Sequence, residues 1–298
     1  MGAIKNKNKQ GLQTPNRFFA RYSGVPVVYV ESEEDCYIFG ECWFKEQLSR
    51  LEFQPVGNRH AGDATTGCKA VIRAVDEERL SGNLAWGIVD RDTVMSEDRW
   101  DLVHETDDSR FDEATPFGQF IKVLRRWEVE SYLIDGDLLE QYRSELSMTL
   151  PRPSSQIWDE LLADCQALIP HAALNATYHC YRKSGLADGS TNQFQNRDTV
   201  ESQLIEKILT SLATYHPDCR HQYSRHLGQV EAFDTTHSPS ELRVYDLLRR
   251  VHGKAVLSRF KNRHKIKDDF RGSLASRIKS VGRVPQELHD FVQFAITH

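Results

Sequence analysis

The first clear pattern in the chain is Val25-Pro26-Val27-Val28-Tyr29-Val30, a short β-branched run of the kind a buried strand needs, and it stops at Glu31. From Glu33 to Leu51, apolar residues fall at Cys36, Ile38/Phe39, Trp43/Phe44 and Leu48, which predicts an amphipathic helix. A second strand is expected over Phe53 to Val56. A small-residue loop from Gly57 to Gly67 and a helix from Lys69 to Arg79 follow it. Ser81-Gly82-Asn83 then turns the chain into Leu84-Ala85-Trp86-Gly87-Ile88-Val89, another buried-strand run, which ends at Asp90-Arg91-Asp92. Residues 93–117 are acidic, turn-rich and weakly periodic, and are expected to form a mobile surface loop. Phe120 to Ile134 reads as a strand running into a helix. Beyond it the pattern is helical over 136–147, 155–169, 199–215, 240–250, 254–261, 271–280 and 285–296, with a break at Pro151 and Pro153 and a loop over 184–198. Strands alternating with helices predict an α/β unit with a parallel sheet, followed by a mainly helical region.

In parallel sheets of this kind, functional groups gather beyond the C-terminal strand ends. Three acidic groups arrive there in order: Glu31 with Asp35 one helical turn on, Asp90-x-Asp92, and Glu128-x-Glu130. A spacing of two places side chains on the same face of an extended segment. Clustered carboxylates raise one another's pKa, and a divalent ion removes that cost. Mg²⁺ or Mn²⁺ prefers oxygen ligands, can activate water and can stabilise charge on a phosphoryl oxygen. A single Asp-x-Asp pair or a single Glu after a strand is ordinarily solvated or capping. The ordered combination on one α/β unit is what points to metal chemistry.

Composition adds little to fold but something to function. The 298 residues are 39% hydrophobic and 27% charged, as in an ordinary globular protein, and no apolar run approaches the length of a membrane-spanning helix. The N-terminus has no apolar segment of a secretory signal, so the expected compartment is the cytoplasm. Residues 1–24 read as a flexible basic arm carrying Lys5, Lys7, Lys9, Arg17 and Arg21. Cys36, Cys42, Cys68, Cys165, Cys180 and Cys219 follow no disulfide spacing and read mostly as packed thiols. His216-Pro217-Asp218-Cys219-Arg220-His221, with His179-Cys180 upstream, has no CxxC pair to anchor zinc.

The net charge of −5 hides a segregation: ten acidic against three basic residues from Asp90 to Glu113, and thirteen Lys/Arg against four Asp/Glu from Glu241 to Arg283. Within the second tract, Lys or Arg occupies every second position from Arg259 through Lys261, Arg263 and Lys265 to Lys267, with Arg249-Arg250 and Arg271, Arg277, Lys279 and Arg283 flanking it. Such a tract suits phosphate contacts with a nucleic acid. A charged face docking an acidic partner is the alternative.

Val27-Val28-Tyr29-Val30-Glu31-Ser32-Glu33-Glu34-Asp35 and Ile88-Val89-Asp90-Arg91-Asp92 resemble the strand–Glu and Asp-x-Asp motifs of the TOPRIM family, with Ser32 where glycine is usual. Arg126-Trp127-Glu128-Val129-Glu130-Ser131-Tyr132-Leu133 is similar to the Arg-x-Glu-Ile-Glu-Asn-Tyr-Leu segment of TOPRIM nucleases of the OLD type. His252-Gly253-Lys254 is a fainter likeness to a downstream Gly-Lys of that group. Stand-alone relatives include effectors paired with an ATPase in phage-defence systems of the PARIS type. The resemblance implies a TOPRIM, Rossmann-like domain over 25–148 and a helical domain over 149–298.

It further implies that Glu31 is a general base or metal ligand and that Asp90 and Asp92 are ligands. Asp35 and Glu130 would complete a second metal position. Glu128 would share that position or pair with Arg125 or Arg126, and Lys254 would neutralise charge on the scissile phosphate. The implied cofactor is Mg²⁺ or Mn²⁺, and the implied substrate is tRNA or DNA. No G-x-x-x-x-G-K-[ST] pattern occurs, so the implied regulator is a separate ABC/OLD-like ATPase subunit; a homodimer stays open. The alternative reading is a catalytically degenerate TOPRIM module that binds nucleic acid or acts as a sensor.

Overall fold

The computed structural model describes residues 24–56, 67–182 and 202–298. The expected basic arm, apart from Gly24, most of the Gly57–Gly67 loop and the 184–198 loop lie outside the described residues.

Strands β1 (Val27–Val30), β2 (Glu52–Pro55), β3 (Ala85–Val89) and β4 (Ile121–Val123) form an all-parallel sheet in the order β2-β1-β3-β4. The continuous apolar runs of β1 and β3 follow from burial on both faces. Val28, Val30, Phe53, Trp86 and Ile88 face one core, and Val27, Tyr29, Ala85, Val89, Ile121 and Val123 face another. The second core is closed by α2 (Cys68–Leu80) and by α3 (Thr93–Ser96), α4 (Trp100–Val103) and α5 (Asp108–Glu113).

The acidic 93–117 segment is therefore not the mobile surface loop its sequence predicts. Val94, Met95, Leu102, Val103 and Phe111 are buried, and the buried Arg91 guanidinium donates to the carbonyls of Leu102, Glu105 and Arg125. Helices of one or two turns are too short to show a 3.6-residue period, so their sequence signal reads as irregular.

The stretch expected as one helix from Glu33 to Leu51 is α1 (Glu33–Cys36), a π-helical turn over Tyr37–Trp43 and a 3₁₀ turn over Lys45–Gln47. The wide turn puts Ile38, Phe39, Gly40, Cys42 and Trp43 inside together. Segment 120–134 is the short β4 followed by a 3₁₀ turn over Val129–Leu133, not an α-helix.

The helical region comprises α6 (Gly136–Ser147), α7 (Ser154–Arg182), α8 (Ser202–Ala213), α9 (Cys219–Glu231), α10 (Ser240–Leu247), α11 (Gly253–Arg263), α12 (Arg271–Ser280) and α13 (Gln286–Thr297). Proline costs a helix one backbone hydrogen bond, yet α7 runs through Pro170 and past the expected end at 169. It continues because Ala172, Ala173, Leu174 and Ala176 are all buried in the core. α9 replaces the cysteine–histidine knot: Cys219 is buried with its thiol toward the Leu209 carbonyl, and His216 stacks on Tyr181. One core cluster runs from β1 to α13, across position 148/149. The Trp43 indole N–H donates to the Ala275 carbonyl, and the Trp127 backbone N–H to that of Leu248. Among the described residues no helix is long and apolar enough to cross a membrane.

Much of the basic tract serves this interior. Arg259 and Arg263 both bind Asp164, which is 1% exposed, and Arg249 donates to the Thr106 carbonyl and pairs with Asp108. Arg250 is wholly buried. Of the arginines expected on a nucleic-acid face, Arg250 and Arg259 are buried, whereas Arg249 is half-buried and Arg263 exposed. Lys265 and Lys267 remain exposed, and Lys261 is half-buried. Counting charge along a sequence cannot separate a guanidinium that answers an internal carboxylate from one that meets solvent. Asp164→Ala is accordingly expected to destabilise the protein by about 3–5 kcal/mol, because it leaves Arg259 buried without its acid. A change in unfolding free energy under 1 kcal/mol would contradict that assignment.

Candidate active site

The C-terminal ends of β1 and β3 lie side by side, and each ends in a carboxylate. Glu31 follows β1, and its Oε1 accepts from the Asp90 backbone N–H at 3.3 Å, just past β3. Asp92 is the residue before α3, and Asp90-Arg91-Asp92 forms a turn in place of an extended segment. Arg91 points away into the interior, so the two aspartates share the site side although the alternation argument does not apply.

Burial first, and then the charges of Glu31, Asp92 and Glu128, push the Asp90 carboxyl well above its usual range. Burial also raises Asp92, against the pull of His252 and Lys254. Glu31 is raised by burial and by the charges of Asp92 and Asp35, against hydrogen bonds from Cys68 and the Asp90 backbone. Each carboxyl thus resists ionisation where it stands.

Asp35 sits on α1 and is engaged by Ser32. Its Oδ2 accepts from the Ser32 hydroxyl at 2.8 Å and the Ser32 N–H at 3.1 Å, while the Ser32 hydroxyl accepts from the Asp35 N–H. This is a capping box. Ser32 is the residue that caps the start of α1. Burial raises the Asp35 carboxyl, while Ser32 and Lys254 draw it back.

The segment after β4 delivers Glu128 and Glu130, and α11 meets it from more than a hundred residues away. The Lys254 N–H donates to Glu128 Oε1 at 2.6 Å, and Lys254 Nζ lies 3.7 Å from Glu128 and 3.5 Å from Glu130. Nδ1 of His252 is 3.8 Å from Glu128 Oε2. Although burial opposes it, these groups hold Glu128 below the usual carboxylate range. Glu128 therefore pairs with Lys254 and His252 and not with Arg125 or Arg126. Arg125 binds Asp112, and Arg126 donates to the Ser131 carbonyl.

Arg271 of α12 reaches Glu130 at 3.2 Å and Glu34 at 2.6 Å. The site thus includes three positively charged or ring groups outside the carboxylate list: Lys254, expected on family likeness, and His252 and Arg271, which were not assigned to it. His252 adjoined a quoted motif. Nothing in the sequence singled out Arg271 from the other arginines of the tract.

Cys68 was also missed. Its thiol donates to Glu31 Oε1 at 2.6 Å and lies 3.9 Å from Asp92 Oδ1, so it bridges the two strand ends. It is the first residue of α2, after Gly67, whose φ of +79° suits only glycine at low cost. Burial, followed by the charges of Asp92, Glu31 and Asp90, pushes this thiol far up.

The donor set of Glu31, Asp90, Asp92, Asp35 and Glu130 is the hard-oxygen chemistry that Mg²⁺ or Mn²⁺ takes. Among the described residues no three His, Cys, Asp or Glu side chains are drawn together tightly enough to hold an ion as they stand. Glu128 and Glu130 are turned to Lys254, and Asp35 to Ser32.

Glu130 gives this electrostatic picture a pH signature. Burial first and Glu128 second push its carboxyl up to about 7, from an ordinary 4.5. The folded state therefore holds the proton more tightly than the unfolded chain. The stability this supplies is fully present below pH 4.5 and is lost as pH rises through about 7. Metal-free Glu130→Gln should gain stability relative to wild type across that window, by on the order of 2–3 kcal/mol. Melting curves of both proteins at several pH values check this, and a difference that does not change with pH contradicts it.

Comparison with protein-family models, curated proteins and solved structures finds no match to this chain.

Proposed function

We propose that this chain is a divalent-metal-dependent nuclease, with a TOPRIM-like site that cleaves phosphodiester bonds in tRNA or DNA. The observation that carries the reading is the meeting of Glu31, Asp90 and Asp92 at adjacent parallel strand ends, with Glu128, Glu130 and Lys254 brought against them from later in the chain. Raised carboxyls in a half-buried cluster are what a divalent cation would relieve. Glu31, Asp90 and Asp92 would hold the ion, with Asp35 and Glu130 beside them. When bound, the ion would supply an activated water and charge neutralisation at a phosphoryl oxygen.

The chain's own groups divide the remaining work. Glu31 is placed to accept a proton, since its carboxyl lies at the strand end and is already raised by burial. Lys254 is half-exposed at the edge of the cluster and stays charged, because Glu128 and Glu130 outweigh its burial. That is the position of a cation that receives a substrate phosphate. Arg271 stands beside Glu130 and can steady the same phosphate once released from Glu34. Regulation by a separate ATPase subunit belongs to the proposal through the family likeness.

The test is cleavage of nucleic acid by the purified chain with Mg²⁺ or Mn²⁺, with sequencing of the products. Wild type should cut, and Glu31→Ala should lose about 10²–10³-fold or more. Equal cleavage by the two proteins contradicts the reading. The second reading, a TOPRIM-like module that binds nucleic acid without cutting it, is favoured by the lack of a pre-drawn three-ligand group among the described residues. Retained nucleic-acid binding with no metal binding would select it.

A further inference from the structure

The protein treats its buried arginines in a consistent way, with one departure. Arg91 donates to three backbone carbonyls, and Arg259 shares Asp164 with Arg263. Arg250 follows α10, is 0% exposed, and its Nε, Nη1 and Nη2 find no hydrogen-bond acceptor among the described residues. Its guanidinium carbon lies 4.4 Å from the centre of the Trp127 ring. A cation–π contact covers one face of the group but leaves the in-plane N–H donors unanswered. A buried charge left in that condition is strongly unfavourable.

The ring against which Arg250 packs brings a donor and no acceptor. The Trp127 indole nitrogen, which can only donate, is also buried without a partner. So is Nδ1 of His104, whose Nε2 already contacts His226 Nδ1 at 3.1 Å. Burial and then the Arg250 charge hold His104 down at about 2 and His226 at about 4, so neither ring is a charged competitor. Burial and the neighbouring Arg91 charge bring Arg250 itself down to about 9, where it remains cationic at neutral pH. Among the described residues Arg250 forms no ion pair. A buried guanidinium with no acceptor among the described residues selects an oxyanion.

We propose that Arg250, held over the Trp127 ring, forms an interior binding site for a phosphate-type oxyanion. Arg250 is enclosed, so a continuous strand cannot thread past it. The ligand is a free phosphate or the terminal phosphate of a nucleotide or cut strand. Assigning it to a product or substrate end rests on the nuclease reading above, whereas the anion site itself does not. A guanidinium suits this ligand better than an ammonium because its planar fork donates to two oxygens at once.

The experiment is thermal unfolding of the full chain in chloride and in inorganic phosphate at matched ionic strength, with calorimetry for affinity. Wild type should melt higher as phosphate increases. Arg250→Met should show no phosphate response, and in chloride it should melt above wild type, because it removes an uncompensated buried charge. Should Arg250→Met fail to fold, Arg250→Lys decides: phosphate binding at least about tenfold weaker is expected, since the bidentate fork is lost. No phosphate response in wild type, or the same phosphate affinity in wild type and Arg250→Lys, overturns the site. A 5′-phosphorylated dinucleotide and its unphosphorylated form distinguish the sources. If only the phosphorylated dinucleotide competes with phosphate, the site takes strand ends; if neither competes, it takes the free anion. Should wild type bind no Mn²⁺ but keep its Arg250-dependent phosphate response, the nuclease reading falls and the anion site stands.

Discussion

Asp90→Asn is expected to abolish Mg²⁺-dependent cleavage, by about 10²–10³-fold or more, while making the metal-free protein more stable. Asp90 is half-buried at the end of β3, with Glu31, Asp92 and Glu128 all opposing its ionisation. Asparagine keeps the shape and removes the charge. The gain, on the order of 1–3 kcal/mol, follows from relieving a like-charge cluster in a poorly solvated place. Its sign with pH is fixed. Asp90's folded value lies above its unfolded 3.8, so the stability carried by its protonated form is lost as pH rises, and the advantage of asparagine grows with pH. A purely structural aspartate would behave oppositely, with its replacement costing stability. Cleavage assays and melting curves on one preparation separate the two roles.

Gly253→Ala should be among the most damaging substitutions that touch no charge. A Cβ at Gly253 would stand 2.5 Å from the Ser131 backbone nitrogen and 2.6 Å from its hydroxyl. Those atoms belong to the 3₁₀ turn that carries Glu130, so they cannot yield as a side-chain tip would. The N-terminus of α11 must move away, taking with it the Lys254 N–H that caps Glu128 at 2.6 Å. Overpacking of this kind costs about 1–3 kcal/mol, and loss of a charge-assisted bond adds to it. Cleavage should fall with stability, because Lys254 leaves Glu128 and Glu130. A variant with wild-type melting temperature and activity would show that the two segments are not locked together.

The strand ends were legible because two simple patterns coincide there. β1 and β3 are continuous apolar runs that stop on an acid, and parallel pairing then places those acids side by side. The Glu128-x-Glu130 pair was visible from its spacing, but the role of Glu128 and the choice of Lys254 rested on likeness to a motif, since no local pattern joins residues so distant in the chain. Cys68 was unreadable for a different reason: its position depends on Gly67 turning the chain onto the end of α2, after a segment whose composition carries little pattern. His252 precedes α11 and Arg271 opens α12, and each reaches the site only through the tertiary placement of its helix. The basic tract is the converse case. Its arginines were conspicuous as charge, yet Arg250 and Arg259 are core residues, because a guanidinium has enough apolar surface and enough donors to be built into an interior. The short helices after Arg91 escaped detection because they show no α-helical period, and the π-helical turn around Phe39 because its apolar spacing reads as an ordinary α-helix.

The most direct test of the central claim is Mn²⁺ binding measured by calorimetry on wild type, Glu31→Ala and Asp90→Asn. The account predicts that wild type binds Mn²⁺, releases protons from its raised carboxyls as it does so, and that either substitution removes that binding while the fold persists. Absence of Mn²⁺ binding to wild type, or unchanged binding in both variants, would contradict it.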